Sequence, residues 1–318
     1  MTLVIVYFTS RGESLANKLN TLLTEFDIRL CKCFGPDHPD LSGIVSEAFD
    51  SGYCLLFIGA VGIAVRSISP YVSDKLSDIP VVVADDAGEF IIPILSGHVG
   101  GANRLAIQIA GRLEAIPVIT TSTDVNTAFS ADVFAVENNL KIRNRDGIRR
   151  VNAKAIENKS ITLSIKDYPP DNPVDIIVAD STDCPCDLLL SPKKYTLGIG
   201  LRKEKDAKET EEFVSKVLSD NGLAFDDVYA LCTIDIKEDE PALKYLRDKY
   251  RIPLICCEAS VLNRVAGCFD SSGFVKQTTG TDNVCERAAV LCAGSGAELV
   301  VKKTKGDGVT VAVAQRGK

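Results

Sequence analysis

The chain predicts an α/β fold: two open α/β units with largely parallel sheets, joined by a smaller middle segment. Three observations carry this. Short apolar runs alternate with amphipathic ones from the first residue, as in strands connected by helices. The alternation lapses between about 135 and 194 and then resumes. At 318 residues, with 46% hydrophobic and 25% charged, the chain can fill more than one core. The expected divisions are 1–134, 135–194 and 195–318.

In the first unit, "TLVIVYF" (2–8) reads as a strand and "GESLANKLNTLL" (12–23) as an amphipathic helix. The runs "IRLCKCF" (28–34), "GIVSEAF" (43–49), "YCLLFIGAV" (53–61), "IPVVVAD" (79–85) and "EFIIPIL" (89–95) follow. In "NRLAIQIAGRLEA" (103–115), Leu105, Ile109 and Leu113 fall four apart with Ala106 and Ala110 beside them, one apolar helical stripe. "IPVITT" (116–121) closes this unit. The middle segment combines the basic "KIRNRDGIRR", the breaker "DYPPDNP" and the strands "SITLSI" and "DIIVAD". From Tyr195 the pattern resumes: strand "YTLGIGL", helix 206–220, strand "VYALCTID", helix 240–250, strand "IPLICCE", a helix through "CERAAVLCAG", and two final strands, "AELVVKK" and "VTVAVAQ". No period of 20–50 residues suggests a solenoid.

A net charge of −7 argues against a general nucleic-acid binder, which would present a basic face. An anionic ligand must therefore be met by local cations or helix N-termini. No run is long enough to span a bilayer, and the start lacks a basic leader, so a cytoplasmic protein is expected. Eleven cysteines without CxxC spacing read as reduced thiols packed as small apolar residues rather than as metal ligands.

The sharpest motif is "LSGHVGGANRLA" (95–106), strand into turn into helix. Gly100 and Gly101 precede the helix and offer bare backbone N–H donors to an oxyanion. His98, one of two histidines, is of the side-chain type suited to act as general base for water. Ser96 is a weaker nucleophile candidate, because no G-x-S-x-G elbow surrounds it. The plainer reading is a structural histidine in a turn, and His38 in "GPDHPD" reads as an exposed loop residue. "GAVGIAVRSISPYVSDK" (59–75) offers a glycine-rich strand end with Arg66 and Lys75, either an anion site or an ordinary turn with solvated charges. "TTSTDVN" supplies Thr120, Thr121 and Asp124 at a strand end, and "ADDAGE" supplies Asp85 or Asp86, although it reads equally well as a hairpin turn.

In the second unit "GIGLRK" lacks the third glycine of a dinucleotide fingerprint, so an anion-binding turn with Arg202 and Lys203 is the better reading. "TIDIKEDE" places Thr233, Asp235 and Lys237 at a strand end, and "TTGTDNVCERAA" reads as a glycine turn into a helix with Asp282 as N-cap. "IVYFTSRGESLANKL" has the layout of a flavodoxin phosphate loop, but no Trp and no second aromatic loop accompany it.

The run from Gly59 through "SGHVGGANRLA", together with "PVITTSTD", resembles the cobalamin-biosynthesis protein G family of cobalt-precorrin-5A hydrolases. "GIGLRK", "TIDIKEDE" and "GTDNVCERAAVL" match its terminal domain in order, leaving 135–194 as the poorly matched middle. The resemblance implies hydrolysis of a δ-lactone, formed by the ring-A acetate on the meso carbon C20 of a cobalt corrinoid. C20 and its methyl then leave as acetaldehyde. It implies no cofactor bound by the protein, since cobalt arrives with the substrate and the macrocycle serves as electron sink. His98, Asp85 and Asp124 are the candidate catalytic groups. Arg66, Lys75, Ser96, Gly100, Gly101, Asn103, Arg104, Thr120, Thr121, Arg202, Thr233, Asp235, Lys237 and Asp282 are the candidate substrate contacts. The alternative is a non-catalytic corrinoid carrier of the same pathway. A homodimer and transient contacts with neighbouring corrin enzymes are further expectations.

Overall fold

A computed structural model of the chain describes residues 1–36, 38–74, 77–121, 128–165 and 173–317. It divides into two compact units, Met1–Pro192 and Lys193–Lys318. The first contains a six-stranded sheet of β1 (Thr2–Tyr7), β2 (Asp27–Lys32), β3 (Cys54–Ile58), β4 (Val81–Ala84), β5 (Phe90–Leu95) and β6 (Ile116–Pro117), in the order β2-β1-β3-β4-β5-β6. Helices α1 (Ser10–Leu22), α2 (Leu41–Ser51), α3 (Val61–Ile68) and α4 (Ala102–Leu113) connect them.

Alternation along the strands divides the core in two. Leu3, Ile5, Leu56 and Ile58 pack with Leu19 of α1 and with Leu105 and Ile109 of α4. Val4, Val6, Leu55 and Phe57 face the other way, against Val45 and Ala48 of α2 and Ala64 and Ile68 of α3. Central parallel strands covered on both faces must be apolar throughout, and every residue of β3 is buried. The helix starts are set locally: Thr9 accepts the Gly12 N–H at 2.9 Å, and Asp40 accepts those of Ser42 and Gly43.

The sheet is largely parallel, as expected, with one antiparallel pair that matters. β1, β2, β3 and β4 run parallel, but β4 and β5 form an antiparallel pair, and β6 follows β5. Too few residues separate Ala84 from Phe90 for a crossover, which needs a dozen or more, so the chain turns back. Asp85 builds that turn, its carboxylate accepting the N–H groups of Ala87, Glu89 and Phe90.

The middle of the chain forms a four-stranded sheet of β7 (Leu140–Ile142), β8 (Leu163–Ile165), β9 (Val174–Val178) and β10 (Cys186–Pro192), ordered β7-β10-β9-β8. Its helices are α5 (Ala131–Glu137) and α6 (Arg145–Ile156). Ala131, Ala135, Ile148, Val151, Ile176, Leu188 and Leu190 make its core.

The second unit is a five-stranded sheet, β13-β12-β11-β15-β14. β11 (Tyr195–Leu201), β12 (Val228–Ile234) and β13 (Leu254–Cys257) are parallel, while β15 (Val309–Gln315) runs antiparallel to both β11 and β14 (Glu298–Lys305). Its helices are α7 (Ala207–Asp220), α8 (Pro241–Tyr250), α9 (Ala259–Leu262), α10 (Gly273–Thr279) and α11 (Cys285–Ala293). Helix α11 lies so close to β11 that a Cβ on Gly198 would fall 1.8 Å from the Cys285 carbonyl oxygen. Cys54, Cys232 and Cys285 are buried and Cys268 is exposed; Cys257 and Cys292 Sγ are 3.8 Å apart, and burial followed by Cys292 pushes the Cys257 thiol up to about 12.

Candidate active site

Because β5 runs against β4, its carboxyl end lies beside Val81, the first residue of β4. The residues after β5 therefore gather at the opposite edge of the sheet from those after β1, β3 and β4. Asp85 follows the last residue of β4 and His98 follows the end of β5 beside its first, so the two lie toward opposite ends of a strand about 13 Å long. Asp85 does not share a site with His98; it is spent on the hairpin turn. Arg66 also belongs to the far edge, where its exposed side chain folds back over Gly62, 3.5 Å from the position a Cβ would take there. Asp86 joins that edge, accepting from Thr9 Oγ1 at 3.1 Å. Lys75 and Asp124 lie outside the described residues.

The His98 corner is a tight turn built on short-range constraints. Ser96 has φ 54°, in the left-handed region that non-glycine residues rarely occupy. Its hydroxyl donates to the Asp78 carbonyl at 2.6 Å, which fixes it. A Cβ on Gly100 would sit 2.3 Å from Ser96 Cβ, and one on Gly97 would sit 2.7 Å from Asn103 Oδ1, so only glycine fits either place. Gly101 has φ 85° and leads directly into α4. The Ala102 and Asn103 N–H groups donate back to the Ser96 and Gly97 carbonyls, closing the turn.

This closure changes the expected oxyanion site. The Gly101 N–H donates to the His98 carbonyl at 2.9 Å and is not available to a ligand. Gly100 N–H has no partner among the described residues and remains the candidate donor. Buried Asn103 donates from Nδ2 to Thr121 Oγ1 at 2.9 Å, joining the start of α4 to the segment after β6. Exposed Thr120 adjoins it, and Arg104 turns its guanidinium toward Gly101.

Gly97, His98, Val99, Gly101, Asn103 and Arg104 line one side of a cavity of about 150 Å³. Val133, Val136 and Glu137 of α5 line the other. The sequence reading missed this wall, since nothing local in "ADVFAVE" marks it as facing a histidine. It also missed Asp78, whose buried carboxylate accepts from Ser73 N, Ser73 Oγ and Asp74 N and so shapes the loop that holds Ser96.

In the second unit the candidate residues are occupied internally. Thr233 is fully buried and donates to the Ile199 carbonyl at 2.8 Å. Asp235 opens a 3₁₀ turn and accepts from Ile236 N at 2.7 Å. Lys237 pairs with Glu240 at 2.6 Å, and exposed Arg202 lies 3.7 Å from Asp307. Asp282 is not the N-cap expected of it: its carboxylate binds Arg287 Nε at 2.9 Å, and Asn283 Oδ1 accepts the Glu286 N–H at the helix start. Buried Glu286 in turn accepts from Asn283 Nδ2, Asp270 N and Lys303 N, so the loop is held from three sides.

Residues 43–124, which include the His98 corner, match the family described as Cobalamin synthesis G N-terminal. Residues 195–314 match Cobalamin synthesis G C-terminus. Cobalt-precorrin-5A hydrolase of Salmonella typhimurium is 30% identical over 98% of this chain and 96% of its own length. That of Priestia megaterium is 29% identical over 98% and 94%. A solved structure of a cobalamin biosynthesis protein G homologue from Sulfolobus solfataricus aligns over 99% of this chain and 97% of its own, at 23% identity and a TM-score of 0.42. Matched from end to end, with both regions in order, this chain belongs to the cobalt-precorrin-5A hydrolase family of cobalamin biosynthesis.

Proposed function

We propose that this chain is a cobalt-precorrin-5A hydrolase and that its chemistry takes place at the His98 corner. The observation that carries the activity is the near full-length match to hydrolases of that name. The corner has the parts that lactone opening requires. His98 takes a proton from water as its oxygen adds to the lactone carbonyl. The Gly100 N–H, in the turn just before α4, is the donor assigned to the oxygen that becomes negative, although Gly100 itself does not line the cavity. Arg104 holds the carboxylate released when the acyl C–O bond breaks. Loss of acetaldehyde then breaks the bond between C20 and the macrocycle, whose conjugated system, with the cobalt it carries, accepts the electron pair. The chain works as a reduced protein of the cytoplasm, its eleven cysteines all free thiols.

The test is anaerobic incubation with cobalt-precorrin-5A, trapping acetaldehyde and weighing the corrinoid. One acetaldehyde per ring-opened product establishes the hydrolase. Corrinoid bound but unchanged assigns a carrier instead.

A further inference from the structure

We propose that Glu137 is a second catalytic residue, the base that takes the C20 hydroxyl proton when acetaldehyde leaves. This rests on the hydrolase reading and assigns both steps to the one cavity between the His98 corner and α5. The first argument is proton accounting. Opening a neutral lactone with water yields a carboxylate, a C20 hydroxyl and one proton. With Arg104 keeping the carboxylate ionised, that proton stays on the base that activated the water. His98 as imidazolium cannot also accept the hydroxyl proton, so a second base in the cavity lets acetaldehyde leave without His98 first passing its proton to solvent.

The second argument is geometric. Among the described residues lining the cavity, exposed Glu137 is the one carboxylate, and it shares that lining with His98 and Arg104. Asp85, the other described candidate, belongs to the hairpin turn at the far edge of the sheet. The wall is anchored: Asn152 of α6 accepts the Ala131 N–H at 2.8 Å and donates to Asp132 Oδ1 at 3.2 Å, while Ala131 and Ala135 are fully buried. The remaining lining of α5 is apolar, Val133 and Val136. At about 150 Å³ the cavity is smaller than ordinary small-molecule pockets of roughly 300–1,000 Å³. It takes the reacting edge of the corrinoid, C20 with its methyl and the ring-A acetate, while the macrocycle stays outside the mouth, against the 43%-exposed Val136.

In the step itself the Glu137 carboxylate accepts the C20 O–H proton and the C–O bond becomes C=O. The bond from C20 to the ring carbon breaks, and its electron pair enters the macrocycle. Acetaldehyde departs, and the protonated Glu137 returns its proton to the reduced ring or to solvent.

The experiment compares wild type, Glu137→Gln and Glu137→Asp on cobalt-precorrin-5A, measuring acetaldehyde and corrinoid mass in one time course. In Glu137→Gln, acetaldehyde release is expected to fall by at least about 10²-fold. Lactone opening should continue within a few-fold, so that a species one water heavier than substrate accumulates, and Glu137→Asp should restore part of the release. Wild-type release by Glu137→Gln, or equal loss of both steps, overturns the assignment while leaving the hydrolase intact. Absence of acetaldehyde from the wild type overturns the hydrolase reading and the assignment with it.

Discussion

The strand ends of the two units carry similar polar residues and treat them differently. In the second unit Thr233, Lys237 and Asp282 each turn inward to a backbone carbonyl, Glu240 and Arg287. In the first, the segment Gly97–Arg104 folds tightly on itself and still presents His98 and Arg104 to a cavity. Polar residues at a strand end are thus equally consistent with holding loops together and with meeting a ligand, and the partners decide between them. Thr233, Lys237 and Asp282 have internal partners in one unit, and His98 and Arg104 line a cavity in the other.

Substitutions can break this comparison. The largest effect is expected from His98→Ala, which should lower turnover by about 10²–10⁴ with the thermal midpoint unchanged; near-wild-type turnover would remove His98 from the chemistry. Gly100→Ala forces a Cβ into Ser96, so the turn must shift, and a displacement of order 1 Å at a reacting centre costs about 10²-fold. The variant should also lose about 1–3 kcal/mol of stability, measured by urea unfolding. In the second unit, Thr233→Val should cost about 1 kcal/mol through the bond lost to the Ile199 carbonyl, while kcat stays at the wild-type value. A selective loss of kcat there would bring the second unit into the chemistry.

A smaller effect concerns acid. Burial would by itself raise the Asp175 carboxyl, but hydrogen bonds from Lys154 and Thr162 outweigh it and hold the group below its ordinary value. A carboxyl depressed on folding contributes stability that is present above its unfolded pKa, near 4, and is lost as pH falls through the lower folded value. Urea midpoints of wild type and Asp175→Asn should therefore differ at pH 6 and converge below about pH 4. Smallest of all, Arg202→Ala should leave both midpoint and activity unchanged, because its contact with Asp307 is long and open to water.

Much of this was legible in the chain itself. The apolar alternation located the strands, and the glycines around His98 marked the corner, because both signals act over a few residues. The hairpin was legible too: a short connection cannot carry a parallel crossover, and "ADDAGE" read as a turn as readily as a ligand site. Asp282 was misassigned as the cap: the helix starts later, after Val284, and it is Asn283 that accepts the Glu286 N–H, a choice between adjacent Asp and Asn that packing makes.

The sequence by itself determined the α/β class, the family and the turn that holds His98, all of which follow from local pattern or from an extended motif. Only the tertiary structure decided which of the candidate residues meet. Reversal of β5 relative to β4 carries Asp85 and Arg66 to one edge and His98 to the other, and a helix from the middle segment brings Glu137 to His98 from 39 residues along the chain. The reversal of β5 follows from the short connection before it, but helix docking is set by packing between distant segments, and no spacing within either segment records it.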